Sequence, residues 1–401
     1  WGEPGFFFTD NYNTGANPSM PAGTLVGTKD GIFPIELLEG KEFEVKSLDG
    51  TFARAKCFLS GECEPVLEIG FGEHVVTHST KEHRWPVKQG DRIVKKYASE
   101  LRPGDLIPLN RNEPTGLQGD MSLTRDEGFM VGYIFGDGCI TRRAAGTYTM
   151  SISIGEAKLA LAEKLSVLMN KGKKEPSSIT YRERGKSKEY SIQTTDQAFI
   201  LAYMHRYGVS SDKSEGLPTK IWTSNDEFIC GFIDGLMSTD GCVSVKDKRI
   251  SFSSAHKQVA LDFAKLISFY GVPASVSYRN SSVKFPNGKD YGRTYETWVV
   301  RVGMYAAPLF HRVFELSHAE KQASLEVLVL KSKRECPEYA SATKASFRKV
   351  KWIKPVKSGK VWDITVYHDQ HVFPSQFVYT GNCVEIGLDP VLVVTPEVQA
   401  R

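Results

Sequence analysis

A chain of 401 residues, 41% hydrophobic and 24% charged, has the composition of a globular protein long enough for two or three domains, and not that of a disordered or fibrous one. Its formal net charge of +4 hides a split: residues 125–335 hold 30 Lys+Arg against 23 Asp+Glu, and the remainder is net acidic. No run of about 18 apolar residues occurs, which excludes a helical membrane span.

Taken in order, residues 1–18 are aromatic and turn-rich, and Trp1-Gly2-Glu3-Pro4 lacks the basic and apolar regions of a secretory signal. From residue 19 to about 115, short apolar runs such as Thr24-Leu25-Val26, Phe43-Glu44-Val45 and Val66-Leu67-Glu68-Ile69 alternate with Gly and Asp turns, predicting an all-β region. Residues from about 120 to 335 mix helical and strand patterns. Strands return at Lys349 to Ile353, Val361 to Val366 and Gln376 to Tyr379. A β region interrupted by an α+β region and then resumed is the pattern of a domain inserted at a loop tip. Seven scattered cysteines without CxxC spacing argue against a zinc site or a disulfide framework and suit a reducing cytoplasm.

The middle contains a repeat. Gly128-Phe129-Met130-Val131-Gly132-Tyr133-Ile134-Phe135-Gly136-Asp137-Gly138 opens one copy, and Gly231-Phe232-Ile233-Asp234-Gly235-Leu236-Met237-Ser238-Thr239-Asp240-Gly241 opens the other. Each is followed by a strand, an amphipathic helix (Ala157 to Met169; His256 to Tyr270) and two further strands. The small residues of Gly132-xxx-Gly136 and Gly231-xxx-Gly235 predict two helices in close contact, with Asp137 and Asp240 together at their C-terminal ends. Helix dipoles and mutual repulsion both disfavour ionised carboxylates there, a conflict that a divalent cation resolves. Carboxylates holding Mg²⁺ suit phosphodiester hydrolysis, and the basic strand pairs suit duplex DNA.

These two motifs resemble those of single-chain LAGLIDADG homing endonucleases. The resemblance implies Asp137 and Asp240 as catalytic metal ligands and Lys213 and Lys321 as catalytic lysines, with Lys220 as a rival. It implies a saddle in which Arg182, Arg184, Lys186, Lys188, Arg279, Lys284, Lys289 and Arg293 meet double-stranded DNA. That DNA would be the uninterrupted allele of a host gene. A weaker alternative is a DNA-binding domain that no longer cleaves.

The frame around the middle carries a second resemblance. With the interior removed, Asn17-Pro18 joins Cys383-Val384-Glu385-Ile386-Gly387-Leu388, and the joined string resembles the active-site finger loop of a ribonucleotide reductase large subunit. Thr80-Lys81-Glu82-His83, Val361 to Val366 followed by His371-Val372-Phe373, and Asn382-Cys383 resemble the ordered blocks of inteins. The implied chemistry needs Ser19 as first nucleophile, Thr80 for the oxyanion and His83 to protonate the departing nitrogen. Asp363 would assist attack by Cys383, and His371 would assist cyclisation of Asn382. His74, His78 and His368 read as structural. Two departures stand out: the family usually opens with Cys where this chain has Ser19, and has His where this chain has Gly381.

The expected fold is therefore α+β multidomain, an all-β Hint horseshoe interrupted by a pseudo-two-fold α/β LAGLIDADG domain. The expected boundaries are 1–18 for the first reductase segment, 19–120 and 336–382 for the splicing frame, 121–335 for the endonuclease and 383–401 for the second reductase segment. A monomer is expected, with Mg²⁺ for DNA cleavage and no cofactor for splicing. Activity as a reductase fragment is not expected, because the flanks carry only about 37 residues and no nucleotide site.

Overall fold

The computed structural model describes residues 19–381 without 91, 111–115, 156–157, 172, 174–175, 185–186, 285–289 and 336–346, and gives the backbone alone at 184, 187, 281–284 and 290–293. Helices α1 (Arg125–Asp137), α2 (Leu159–Asn170), α3 (Gln197–Tyr207), α4 (Asp226–Thr239), α5 (Lys257–Phe269), α6 (Ala307–Val313) and α7 (Ala319–Glu335) all fall in the middle of the chain. On either side, the described residues form strands and short 3-10 turns. The architecture is mixed α/β, and no described helix is long and apolar enough to cross a membrane.

The frame is built around the long strand Phe52–Gly72, in which buried Ala53, Ala55 and Cys57 alternate with exposed Arg54 and Lys56. It pairs with Trp352–Val366, which in turn pairs with Met20–Pro21. Glu42–Lys46 and Val75–Thr80 add to the same sheet. Phe347–Lys349 pairs with Leu106–Pro108, and Val372–Pro374 pairs with Tyr379–Gly381. Strands from before and after the middle thus share their hydrogen bonds.

The middle consists of two sheets of identical order. Gly138–Arg142, Tyr148–Gly155, Ser187–Thr194 and Ile179–Arg184 form one; Gly241–Ser244, Arg249–Ser254, Asp290–Gly303 and Ser275–Lys284 form the other. Between them, α1 and α4 run parallel. Thr124 caps α1 by accepting from the Glu127 amide at 3.2 Å, while Glu127 accepts from the Thr124 amide at 2.9 Å. Asn225 caps α4 by accepting from the Phe228 amide, and its own amide donates to the carbonyls of Asp120 and Leu123.

Glycine lets the two helices touch. A Cβ on Gly128 or Gly132 would overlap the carbonyls of Phe228 and Phe232, and one on Gly231 or Gly235 would overlap those of Arg125 and Phe129. The expected Gly132-xxx-Gly136 face lies in this seam and extends one turn back: Gly128 and Gly132 make the backbone approach, and Gly136 fits against the Thr239 side chain of α4. Phe129, Tyr133, Phe228 and Phe232 are fully buried around this seam. Each contributes about 1.5–3 kcal/mol of transfer free energy, so a side chain that wedges the helices apart would expose the centre of the middle region.

Candidate active sites

The parallel seam delivers Asp137, the last residue of α1, and Asp240, the C-cap of α4, to one end of the helix pair. Both residues are exposed overall, but surrounding protein raises both carboxyls above the ordinary carboxylate range. Burial is the largest cause for each. For Asp240 the next is the negative charge of Asp137, so the two groups lie close enough to repel.

Lysines oppose that repulsion. Lys213 donates to the carbonyls of Gly136 (2.9 Å) and Gly138 (3.2 Å), closing the end of α1. Lys321 donates to Met237 (2.8 Å), Ser238 (3.1 Å) and Thr239 (3.2 Å), closing the end of α4 in the same way. Burial lowers the ammonium of Lys213, and burial followed by Lys158 lowers that of Lys321 to about 8. Lys220 lies elsewhere, paired with Asp120 at 2.9 Å. Paired oxygen donors at the positive-charge deficit of two helix C-termini fit a hard divalent cation such as Mg²⁺.

Each sheet turns its apolar side to the helices and its other side outward. In the first sheet Ile152 and Ile192 face inward, and Arg182 takes the outward register. Lys188 shares the register of Ile192, is exposed, and pairs with Glu183 at 3.7 Å. In the second sheet Ile250, Phe252 and Val300 face inward, while Arg249, Arg279 and Arg301 face outward. Burial and the nearby charges of Arg279 and Arg249 lower Arg301 below the usual guanidinium range. Arg184, Lys284 and Arg293 lie in described strands without described side chains, and Lys186 and Lys289 lie outside the described residues.

A second cluster forms where the two ends of the frame meet. Ser19 is buried, and its amide nitrogen donates to Thr80 Oγ1 at 2.9 Å. The Thr80 amide returns a bond to the Ser19 carbonyl at 2.8 Å, and the His83 amide donates to the Thr80 carbonyl at 3.2 Å. His83 is buried with its ring edge toward Trp85, and its Nε2 hydrogen-bonds Thr380 Oγ1. Met20 pairs with Trp362, so Ser19 and Asp363 adjoin the same rung. Asp363 is buried, and burial pushes its carboxyl up to about 8 although it accepts from the Ile364 amide at 2.7 Å.

His371 adopts a left-handed backbone (φ 48°) next to the Val372–Gly381 pair that ends the described chain. Its Nδ1 lies 3.1 Å from the Val366 carbonyl, which can only accept. That contact fixes the proton on Nδ1 and leaves Nε2 as the basic nitrogen of the neutral ring. His78 pairs with Glu68, His368 with Asp49, and His74 packs on Trp298. Asn382 and Cys383 lie outside the described residues.

Comparison with known proteins bears first on the middle. Residues 227–298 match the LAGLIDADG-like domain model. The chain is also 23% identical over 368 residues to the ribonucleoside-diphosphate reductase NrdEB subunit alpha of Bacillus subtilis, covering 86% of this chain and 33% of that protein. It is 25% identical over 279 residues to the replicative DNA helicase DnaB of Rhodothermus marinus, covering 64% of this chain and 28% of that protein. The chain therefore spans about a third of the length of the curated relatives it matches. Among solved structures it is similar to the homing endonuclease I-DmoI in complex with DNA and Mn. That likeness has 15% identity and a TM-score of 0.32, over 47% of this chain and 96% of that one.

Two residues at these clusters escaped the sequence reading. Thr380 occupies a plain strand pattern, and only the fold sets it against His83. Lys158 donates to the Ser238 carbonyl at 3.3 Å and is the strongest positive influence on Asp137. It could have been noticed by aligning the repeats, where its counterpart Lys257 sits instead over the Trp298 ring.

Proposed function

We propose that residues 19–382 are a protein-splicing element that excises itself and joins two reductase segments, 1–18 and 383–401. In this reading the frame is 19–120 with 336–382, and residues 121–335 are a site-specific double-strand DNA endonuclease. The observation that carries the splicing half is the convergence at one buried cluster. Ser19 is clamped on Thr80, and His83 reaches across to Thr380, two residues before Asn382. The relatives support it too: a reductase and a helicase share no chemistry, so what this chain has in common with both is not the activity of either host.

The proposed steps draw on these contacts. Ser19 Oγ attacks the Pro18 carbonyl; a C–O bond forms, the C–N bond breaks, and the Ser19 nitrogen gains a proton. Thr80 accepts at that nitrogen, which leaves its hydroxyl proton to meet the oxyanion, and His83 serves as the acid. Cys383 then takes the acyl group: a C–S bond forms, the C–O bond to Ser19 breaks, and Asp363, which keeps its proton up to about 8, gives that proton to the departing Ser19 oxygen and is reprotonated by the thiol. Asn382 cyclises with His371 Nε2 accepting from its amide, and an S-to-N shift leaves a Pro18–Cys383 peptide bond.

In the endonuclease, Asp137 and Asp240 would hold Mg²⁺, which when bound supplies positive charge to a phosphodiester and its attacking water. Lys213 and Lys321 fix the helix ends that carry these carboxylates. Lys321, lowered to about 8, can also exchange a proton near neutral pH. Arg182, Arg279 and Arg301 would meet phosphates.

Gly381 has a physical reason to differ from the family. A Cβ there would overlap the Arg84 carbonyl, so Gly381→His must displace the strand Tyr379–Gly381 and pull Thr380 from His83. The substitution is expected to slow splicing by about 10²-fold and not to accelerate it, as a gel time-course would show.

Asp363 yields a test in pH. Its native carboxyl keeps a proton up to about 8, against an ordinary value of 3.8. Between those values the folded chain binds more protons than the unfolded one, and stability falls as pH rises. Asp363→Asn should therefore raise the melting temperature at pH 8, with the gain fading towards pH 4. It should also stall splicing before transfer to Cys383, so that hydrolysed residues 1–18 accumulate. A full-length mass time-course tests the whole reading.

A further inference from the structure

A cleft of about 940 Å³ separates the end of the second sheet from the frame. One wall presents Arg249 and Arg301 from the sheet's outer face; the other presents Lys88, Arg348, Lys349 and Lys351 from the frame. Among the described residues lining it, none is a carboxylate. Asp247, just outside, steadies Arg249 at 3.2 Å.

The walls are fixed by Arg348. Its side chain is buried and donates to the Ala274 carbonyl at 3.0 Å and to Ser268 Oγ at 3.2 Å, tying the frame strand Phe347–Lys349 to the middle. Lys88 lies over the Phe347 ring, while Lys349 and Lys351 are exposed. Arg301 Nη2 is buried without a hydrogen-bond partner among the described residues. Like charges from Arg279 and Arg249 bear on it as well, an arrangement that an arriving anion would relieve.

Position relates the cleft to the carboxylates. The strand Gly241–Ser244 starts directly after Asp240 and ends opposite Arg249. Four residues of strand carry the surface roughly 13 Å from the carboxylates to the cleft mouth. A duplex crossing Asp137 and Asp240 on the outer faces therefore continues into it.

We infer that the splicing frame is part of the DNA-contact surface: duplex DNA leaving the paired carboxylates along the second sheet enters this cleft, where Lys88, Lys349 and Lys351 neutralise its backbone phosphates. This rests on the endonuclease reading above and assigns the frame a role that splicing does not require. Bound DNA then spans both parts of the chain.

The test uses the full chain and a fluorescein-labelled duplex encoding the joined flanks, titrated in EDTA over a range of salt concentrations. Each phosphate contact contributes about 0.9 to the slope of log K against log salt. Lys88→Ala/Lys349→Ala/Lys351→Ala should lower that slope by about 2 to 3 and weaken binding at least about tenfold. Hydroxyl-radical protection should be lost from one flank of the duplex only, with the splicing rate kept as proof of an intact frame. If the triple variant binds with the parent's slope while Arg182→Ala/Arg279→Ala binds weakly, the frame takes no part and the inference is overturned, with the endonuclease reading intact. If the parent itself shows no salt-dependent binding, the endonuclease reading falls and takes this inference with it.

Discussion

Asp137→Asn and Asp240→Asn, singly or together, are expected to abolish cleavage of a plasmid encoding residues 1–18 joined to 383–401 while leaving splicing at the parent rate. Each carboxylate would contribute to holding the cation that neutralises charge on the phosphodiester. Its loss should remove several kcal/mol, roughly 10³-fold in rate. Stability should move the opposite way. Both groups are raised by burial, and Asp240 also by its neighbour, so a neutral amide relieves a strain present without metal. A higher melting temperature together with lost nicking distinguishes a metal-binding pair from helix caps, whose removal would lower both. Full cutting by the double variant would refute the assignment.

His83→Ala is the second large effect. Its ring is buried between Trp85 and Thr380 and stands one turn of chain from the Thr80 hydroxyl that holds the Ser19 nitrogen. Removing a positioned proton donor slows such a step by about 10²–10⁴-fold. It would also leave the Thr380 hydroxyl without its partner, at about 1–3 kcal/mol. Release of residues 1–18 should therefore vanish, whereas cleavage after Asn382, which does not use this histidine, should continue. Separate mass peaks for the two broken ends would read the difference. Equal loss at both ends would mean that His83 only supports the fold.

The repeat and the interrupted frame were legible because both leave patterns in local sequence. Two Asp-Gly endings in register lead to two helices ending side by side, and alternating strands on either side of residue 120 to 335 lead to shared sheets. The helix contact was legible but incomplete: small residues at four-residue spacing mark a seam that does hold Gly132, Gly136, Gly231 and Gly235, while Gly128, one turn earlier, was missed. The register of Lys188 was not legible, because charge alone does not disclose which face of a strand a residue takes. The partners of His83 and Asp363 lie hundreds of residues away or in the opposite strand, and nothing local in sequence announces such pairings. Thr380 and Lys158 belong to the same class, ordinary residues made significant by tertiary contact.

The central claim is that this polypeptide cuts and rejoins its own backbone. Intact-mass spectrometry of the Ser19→Cys chain during incubation at neutral pH tests it most directly, since a thiol is the stronger nucleophile. The expected result is disappearance of the 401-residue mass, with two products in its place: residues 19–382, and residues 1–18 joined to 383–401. Persistence of the single full-length mass, with neither product at any time, would contradict it.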